Sequence, residues 1–518
     1  MPQSCTIKVR PEALSDPAFP QRWISRQLKV HPNRISGVKL EKRSIDARKN
    51  PVKFLLRYQV WVDEVFAPEE KPAFDWPHVA DKAEVIVVGL GSAGLFAALE
   101  LIRQGLKPVV IERGKPVRER RRDLAKLTRE GIVNPESNYC FGEGGAGTFS
   151  DGKLYTRSTK RGDTRTVLET LTHFGATEEI LIDAHPHIGT NKLPAIIQAM
   201  REQILASGGE IHFETKLTDL EYSSGQLKRI QVNGDQWWDA RAMILATGHS
   251  ARDIFEILDR QRISFAAKSF ALGVRVEHPQ ALIDQIQYHV GGARPENLPA
   301  ASYSLVTQVE SKGVYSFCMC PGGIICPAAT AEGEVVVNGW SPSKRNSAYA
   351  NSGMVVEVSL EDLPKDLQHS MGAMAYQKEI EQRAFVAGGG KQVAPAQRLT
   401  DFLAGKVSQD LPDCSYLPGL NPVSLKEVLP KRIGMRLQRG LAHFGKRLRG
   451  YISEEAVVVG VESRTSSPVR IPRDQESLMH PEVAGLFPCG EGAGYAGGIM
   501  SAAIDGIRVS RAVKLILE

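Results

Sequence analysis

Residues 85–113 read VIVVGLGSAGLFAALELIRQGLKPVVIER, and no other segment restricts the fold so tightly. Val85–Val88 is a continuous apolar run, as expected for a strand buried on both faces of a parallel sheet. A helix is predicted from Ser92 to Gln104, ended by Gly105, and Pro108–Glu112 reads as the next strand. That is one β-α-β unit. Gly89 turns the chain out of the strand, Gly91 admits a pyrophosphate close to backbone, and Gly94 lets helix pack on strand. Ser92 and Ala93 open the helix, where unpaired N–H groups and a partial positive charge meet phosphates. Glu112 ends the second strand, placed to accept both hydroxyls of an adenosine ribose and to repel a 2′-phosphate, and Arg113 follows it. A dinucleotide site is the expectation.

Three later segments favour FAD over NAD. Residues 138–153, NYCFGEGGAGTFSDGK, place Gly144, Gly145 and Gly147 beside Phe141, Thr148 and Phe149. Backbone N–H groups there can face phosphates or a planar ligand. Residues 244–248, ILATG, form an apolar strand whose end, Ala246, Thr247 and Gly248, can pass under a bound dinucleotide; Leu217 is assigned to the same site. In residues 485–510, GLFPCGEGAGYAGGIMSAAIDGIRVS, a short strand leads to Gly490 and Glu491, whose carboxylate can hold a ribityl hydroxyl. Gly497, Gly498 and Ile499 then open a helix whose positive end can face the flavin pyrimidine ring.

With these segments in place, the chain resembles the two-dinucleotide-binding-fold flavoproteins of glutathione reductase type, except that the late acid is Glu491 rather than Asp. The segments GEGGAGTFSDGKL and PCGEGAGYAGGI resemble a bacterial family of uncharacterised FAD-dependent dehydrogenases. The resemblance implies an α/β fold with a Rossmann-like FAD-binding domain, and it implies a cofactor without a substrate. No second nicotinamide fingerprint follows a strand; Gly388–Gly390 come after a helix-like stretch. A small-molecule substrate is therefore expected as the reductant, with NAD(P)H bound transiently, without a second fingerprint, as the alternative. No redox-active C-x-x-C is present, against a disulfide reductase of the glutathione reductase kind.

Domain limits follow from changes of pattern. Residues 1–75 read as a small α+β unit ordered β-α-β-β: Cys5–Arg10, Gln21–Val30, Lys39–Ile45 and Val52–Val62. Residues 76–264 form the first part of the FAD-binding domain, 265–480 an inserted mixed α+β substrate or cap domain, and 481–518 the closing part. Strands are predicted at Tyr315–Cys318 and Glu334–Trp340.

The candidates for chemistry are Lys153, His249, Cys318 and Cys320. Cys318, Cys320 and Cys326 admit three readings: buried thiols, a thiol near the flavin, or a metal site, for which a fourth ligand is missing. No metal is expected. Arg275 could clamp a substrate carboxylate, and Tyr495 could touch the isoalloxazine.

No apolar run reaches about 18 residues, so no spanning helix is expected. An odd count of seven cysteines without framework spacing fits reduced thiols, and a cytoplasmic location is the default. Net charge is +6, compatible with anionic ligands. Two basic runs, Val117–Arg129 and Pro430–Arg449, support a rival reading as a flavin-dependent RNA-modifying enzyme. A third is a flavin-bound sensor docking partners through its N-terminal unit. Substrate and oligomeric state are not encoded in any motif.

Overall fold

The computed structural model describes residues 2–68, 70, 72–156 and 162–517. Its centre is a five-stranded sheet ordered Leu486–Pro488, Met243–Leu245, Glu84–Val88, Lys107–Glu112 and Glu210–Phe213. Every neighbouring pair is parallel. The chain leaves this sheet after residue 245 and returns to it at 486. Val85 to Val88 and Met243 to Leu245 are buried, as β-branched and apolar runs covered on both faces should be, by helices on one face and by the strands Leu217–Ser223 and Gln226–Val232 with the helix Arg252–Arg260 on the other.

The helix Ser92–Arg103 and the last helix, Ile499–Leu517, pack against each other on one face. Small residues set their distance. A Cβ added to Gly506 would fall 2.2 Å from the Ala93 carbonyl oxygen, and Ser510 Oγ donates to the Ala97 carbonyl at 3.0 Å.

The inserted region carries a seven-stranded sheet, ordered Val306–Val309, Lys312–Cys320, Tyr349–Val358, Phe270–Pro279, Val457–Glu462, Ala394–Arg398 and Leu420–Pro422. All pairs are antiparallel except the last. The basic run at 430–449 becomes the helix Lys431–Arg447, whose apolar face, Ile433, Leu437, Leu441 and Phe444, is buried against this sheet. Two of its cations are paired: Arg436 and Arg439 with Glu310, and Arg436 also with Asp362. Of the predicted strand 334–340 only Val337–Trp340 forms.

At the N-terminus the strands Gln3–Val9, Lys53–Val62 and Ile35–Asp46 form an antiparallel sheet with the helix Phe19–Leu28, in the expected order along the chain. Its apolar face joins the same core as the inserted sheet. Among the described residues no helix is long and apolar enough to cross a membrane.

Candidate flavin site

A cavity of about 410 Å³ opens at the carboxyl edge of the parallel strands, where ligands of open α/β sheets bind. One end is built from backbone. Gly89 has φ 99°, and a Cβ there would lie 2.6 Å from the Ala246 carbonyl oxygen. Gly94 sits behind the cavity, where a Cβ would fall 1.9 Å from the Gly89 carbonyl oxygen. Gly91 caps the helix, so Ser92 and Ala93 present first-turn N–H groups to the cavity.

The second glycine loop lies alongside the first. Gly144 N–H donates to the Leu90 carbonyl at 2.8 Å, and Gly91 and Gly144 form a parallel bridge. Gly144, Gly145 and Gly147 line the cavity. Thr148 does not: its hydroxyl is fully buried and donates to the Glu143 carbonyl at 2.7 Å.

Glu112 lines the cavity, and its carboxylate is already engaged. It accepts from Leu90 N–H at 2.8 Å, Gly114 N–H at 2.9 Å and Gly142 N–H at 3.0 Å. A carboxylate offers roughly four lone-pair sites. Glu112 therefore ties both glycine loops together and keeps room for about one ribose hydroxyl rather than the two expected. Arg113 pairs with Glu136 at 2.6 Å and Asp253 at 2.9 Å, and its guanidinium lies 4.1 Å from the Phe141 ring centroid.

Leu217, Thr247, Gly248, Gly497, Gly498 and Ile499 also line the cavity. A Cβ at Gly248, Gly497 or Gly498 would meet no atom within 4 Å. These glycines border open space that a side chain would fill. Backbone N–H groups at a helix start beside such space fit the pyrophosphate and planar ring of FAD. Gly490 lies behind the wall; its N–H donates to Asp505 at 2.8 Å. Asp505 is held by Arg473, at 2.6 Å and 2.9 Å.

The other end is built from ionisable side chains. Lys153 Nζ lies 3.6 Å from Cys318 Sγ, 3.8 Å from Cys320 Sγ and 3.6 Å from Asp151. Burial opposes the lysine charge, yet the two thiols and Asp151 hold its pKa above the ordinary range. The hydrogen bond from Cys320 holds the Cys318 thiol well below its ordinary range against burial, helped by Lys153 and Arg275. Cys320 shifts up for the reciprocal reason. His249 is pulled down to about 4 by burial and then by Arg464, so its imidazole is neutral at neutral pH. Burial pushes Glu491 up to about 7, against the Gly498 N–H and Lys268. Both line the cavity.

Two further sequence expectations are corrected. Arg275 is fully buried and its carboxylate is internal: Glu462 at 2.7 Å, with Asn351 at 2.6 Å and the Cys318 carbonyl at 3.3 Å. The strand it sits on is buried on both faces, so it reaches no substrate. Tyr495 is not on the cavity wall; its ring lies 3.7 Å below the Arg473 guanidinium.

Two features escaped the sequence reading. Arg120, inside the first basic run, is fully buried and donates to the carbonyls of Asn138 at 2.9 Å, Tyr139 at 2.7 Å and Glu143 at 2.8 Å. It moulds the second glycine loop. Its signal was there: Arg120 falls at helical spacing with Val117, Leu124 and Leu127. The other is a buried cluster in which Arg464, on the cavity wall, meets Glu334 and Glu381, both at 2.9 Å. Arg252 joins the same two acids at 2.9 Å and 2.8 Å. Its members span residues 252–464, and no local spacing announces it.

Residues 84–122 match the model of an FAD binding domain, residues 269–465 that of an FAD-dependent protein, C-terminal domain-like, and residues 1–61 a domain of unknown function. Among solved structures, CtdE in complex with FAD is 12% identical, covering 84% of each chain, with a TM-score of 0.32. A geranylgeranyl bacteriochlorophyll reductase-like protein of Thermoplasma acidophilum is 12% identical, over 84% of this chain and 79% of that one, at 0.35. An uncharacterised protein of Clostridium beijerinckii is 43% identical over 516 residues, 95% of this chain and 94% of the relative. The chain belongs to one family with that clostridial protein, and it carries an FAD binding domain.

Proposed function

We propose that the protein is an FAD-dependent oxidoreductase of a small-molecule substrate, of the two-dinucleotide-binding-fold type. One observation carries the reading. A single cavity joins a glycine and backbone cradle at one end to Lys153, Cys318, His249 and Glu491 at the other. The first helix and the two glycine loops would hold the pyrophosphate, Glu112 a ribose hydroxyl, and the Gly497–Gly498 turn the flavin ring. Bound flavin supplies reversible two-electron uptake.

The chain's own groups do the rest. The N-terminus of the last helix puts partial positive charge where negative charge would develop. Glu491, poised near neutrality, can take or give a proton at its carboxyl oxygens. Neutral His249 can accept a proton or orient a polar group, with Ser250 Oγ 3.0 Å from its Nδ1 fixing the ring. A substrate enters between these groups and Lys153, and NAD(P)H serves as a transient reductant if the substrate is an oxidant.

Anaerobic reduction tests the reading. Purified protein is expected to be yellow, and NADH, NADPH or a member of a metabolite panel is expected to bleach the flavin band. Protein that is colourless and cannot be reconstituted with FAD would overturn it.

A further inference from the structure

Cys318 and Cys320 are free thiols two residues apart on the strand Lys312–Cys320. Residues so placed on a flat strand share a face with parallel side chains. This strand is not flat there. Its register against Tyr349–Val358 breaks between Phe317 and Cys320, and Cys318 has φ 44°, a left-handed conformation that costs a non-glycine residue of order 1 kcal/mol or more. The kink brings Cys320 Sγ within 3.3 Å of the Cys318 carbonyl oxygen, and both sulfurs lie within 3.8 Å of one atom, Lys153 Nζ.

Strain of this kind persists where surrounding structure enforces it. Here Arg275 Nη2 holds the Cys318 carbonyl at 3.3 Å, and Arg275 is itself fixed by Glu462 and Asn351. Lys153 reaches both sulfurs from the loop that follows the cavity's second glycine cluster. Cys318 lines the cavity and Cys320, fully buried, does not. One sulfur thus faces the cofactor space, the second stands behind it, and a cation sits beside both.

We propose that Cys318 and Cys320 are a redox-active pair that exchanges two electrons with the flavin, with Lys153 holding the cavity-facing sulfur as thiolate. The inference rests on the flavin reading above. In the oxidising direction the Cys318 thiolate and the Cys320 thiol form an S–S bond, releasing two electrons and the Cys320 proton. Those two electrons and that proton would pass to bound oxidised flavin, so charge and atoms balance. In the reverse direction the disulfide accepts the same equivalents. The short C-x-C spacing closes a small ring, and strained disulfides are the easily reduced ones. The pair would store reducing equivalents between a donor half-reaction and an acceptor half-reaction of the dithiol or disulfide class.

Anaerobic reductive titration of the air-oxidised holoprotein tests this, together with alkylation and mass analysis of the peptide holding both cysteines. Full reduction is expected to consume roughly twice the reductant that the flavin alone needs, and both cysteines, probed in denaturant, are expected to resist alkylation until reduced. Cys318→Ser and Cys320→Ser should each return uptake to about one flavin equivalent while retaining the yellow colour. Lys153→Met should move the pH at which Cys318 alkylates toward the ordinary thiol range, and Lys153→Arg should restore it. Single-equivalent uptake by the native protein overturns the proposal and leaves the flavin reading standing. Double uptake that survives both serine variants overturns it too, because the extra electrons then reside elsewhere. If no flavin binds, the reading beneath it fails, and alkylation of both cysteines without prior reduction would show that the pair does not form.

Discussion

At the nucleotide end of the cavity, Gly89, Gly91 and Glu112 come from one short stretch of chain. At the other end, Lys153, Cys318, Arg464 and Glu491 come from four widely separated segments. The first end works through backbone: N–H groups, carbonyls and places where no Cβ fits. The second works through buried charge that needs several partners at once. A backbone site is encoded by spacing, because glycine position and strand and helix lengths fix its shape. A side-chain site is encoded by topology, since its partners meet only once two sheets have assembled. The two ends should therefore fail in different ways when damaged.

The largest effect on flavin binding belongs to the backbone end. Gly94→Val would drive its side chain into the Gly89 carbonyl, which a Cβ alone already approaches to 1.9 Å. Backbone cannot yield as a flexible side chain can. We expect loss of about 3 kcal/mol or more and colourless, poorly soluble protein, read from the flavin-to-protein absorbance ratio and the melting temperature. A yellow variant with a native Tm would break the claim that this end is defined by excluded Cβ atoms.

Next comes the buried cluster that fastens the inserted region to the sheet domain. Glu381 accepts from Arg464, Arg252 and Ser463. Removing one partner of a buried pair leaves uncompensated charge and costs about 3–5 kcal/mol. Glu381→Ala should therefore lower stability by that order in urea unfolding, and Glu381→Gln by less. Equal effects of the two would show that shape rather than charge holds the cluster.

Arg120→Met should cost about 3 kcal/mol, because the carbonyls of Asn138, Tyr139 and Glu143 lose their donor in a buried site. It should weaken FAD retention more than Glu381→Gln does, since those carbonyls belong to the second glycine loop. The reverse order, in dialysis against flavin-free buffer, would erase the distinction between the two ends.

What the sequence reveals follows the same division. The strand Glu84–Val88, the helix Ser92–Arg103 and the strand Lys107–Glu112 lie within a residue or two of their expected limits. Each is a local pattern with a punctuating glycine. Arg275 was placed on a strand correctly, and Phe270–Pro279 is one. Its role is not legible because the partner, Glu462, lies 187 residues further along the chain, on a strand that becomes the neighbour of Phe270–Pro279 only in the assembled sheet. The kink at Cys318 was illegible for a different reason: a non-glycine residue at φ 44° is imposed by tertiary contacts and carries no compositional mark. Lys153 and the two cysteines stand out in the sequence only by residue type, and the assembled cavity joins them.

The smallest effect is the most direct test of the reactive end, because it carries a sign. Glu491 has its carboxyl raised from 4.5 to about 7, so the folded state binds that proton more tightly than the unfolded chain. Its contribution to stability is complete below the ordinary carboxyl range and is lost as pH rises through about 7. His249 runs the other way. Its pKa is lowered from 6.5 to about 4, so its contribution is present above 6.5 and is lost as pH falls through about 4. Between these limits the two slopes oppose. Relative to the native protein, Glu491→Gln should gain stability as pH is raised from about 5 to about 7.5, and His249→Gln should gain it as pH is lowered over the same interval. Urea midpoints of flavin-free protein at the two pH values measure both differences, and titrations elsewhere in the molecule cancel in each. Opposite signs require one carboxyl and one imidazole titrating in a common buried cavity. Equal signs, or none, would mean that water reaches both groups and that the reactive end is less enclosed than the nucleotide end.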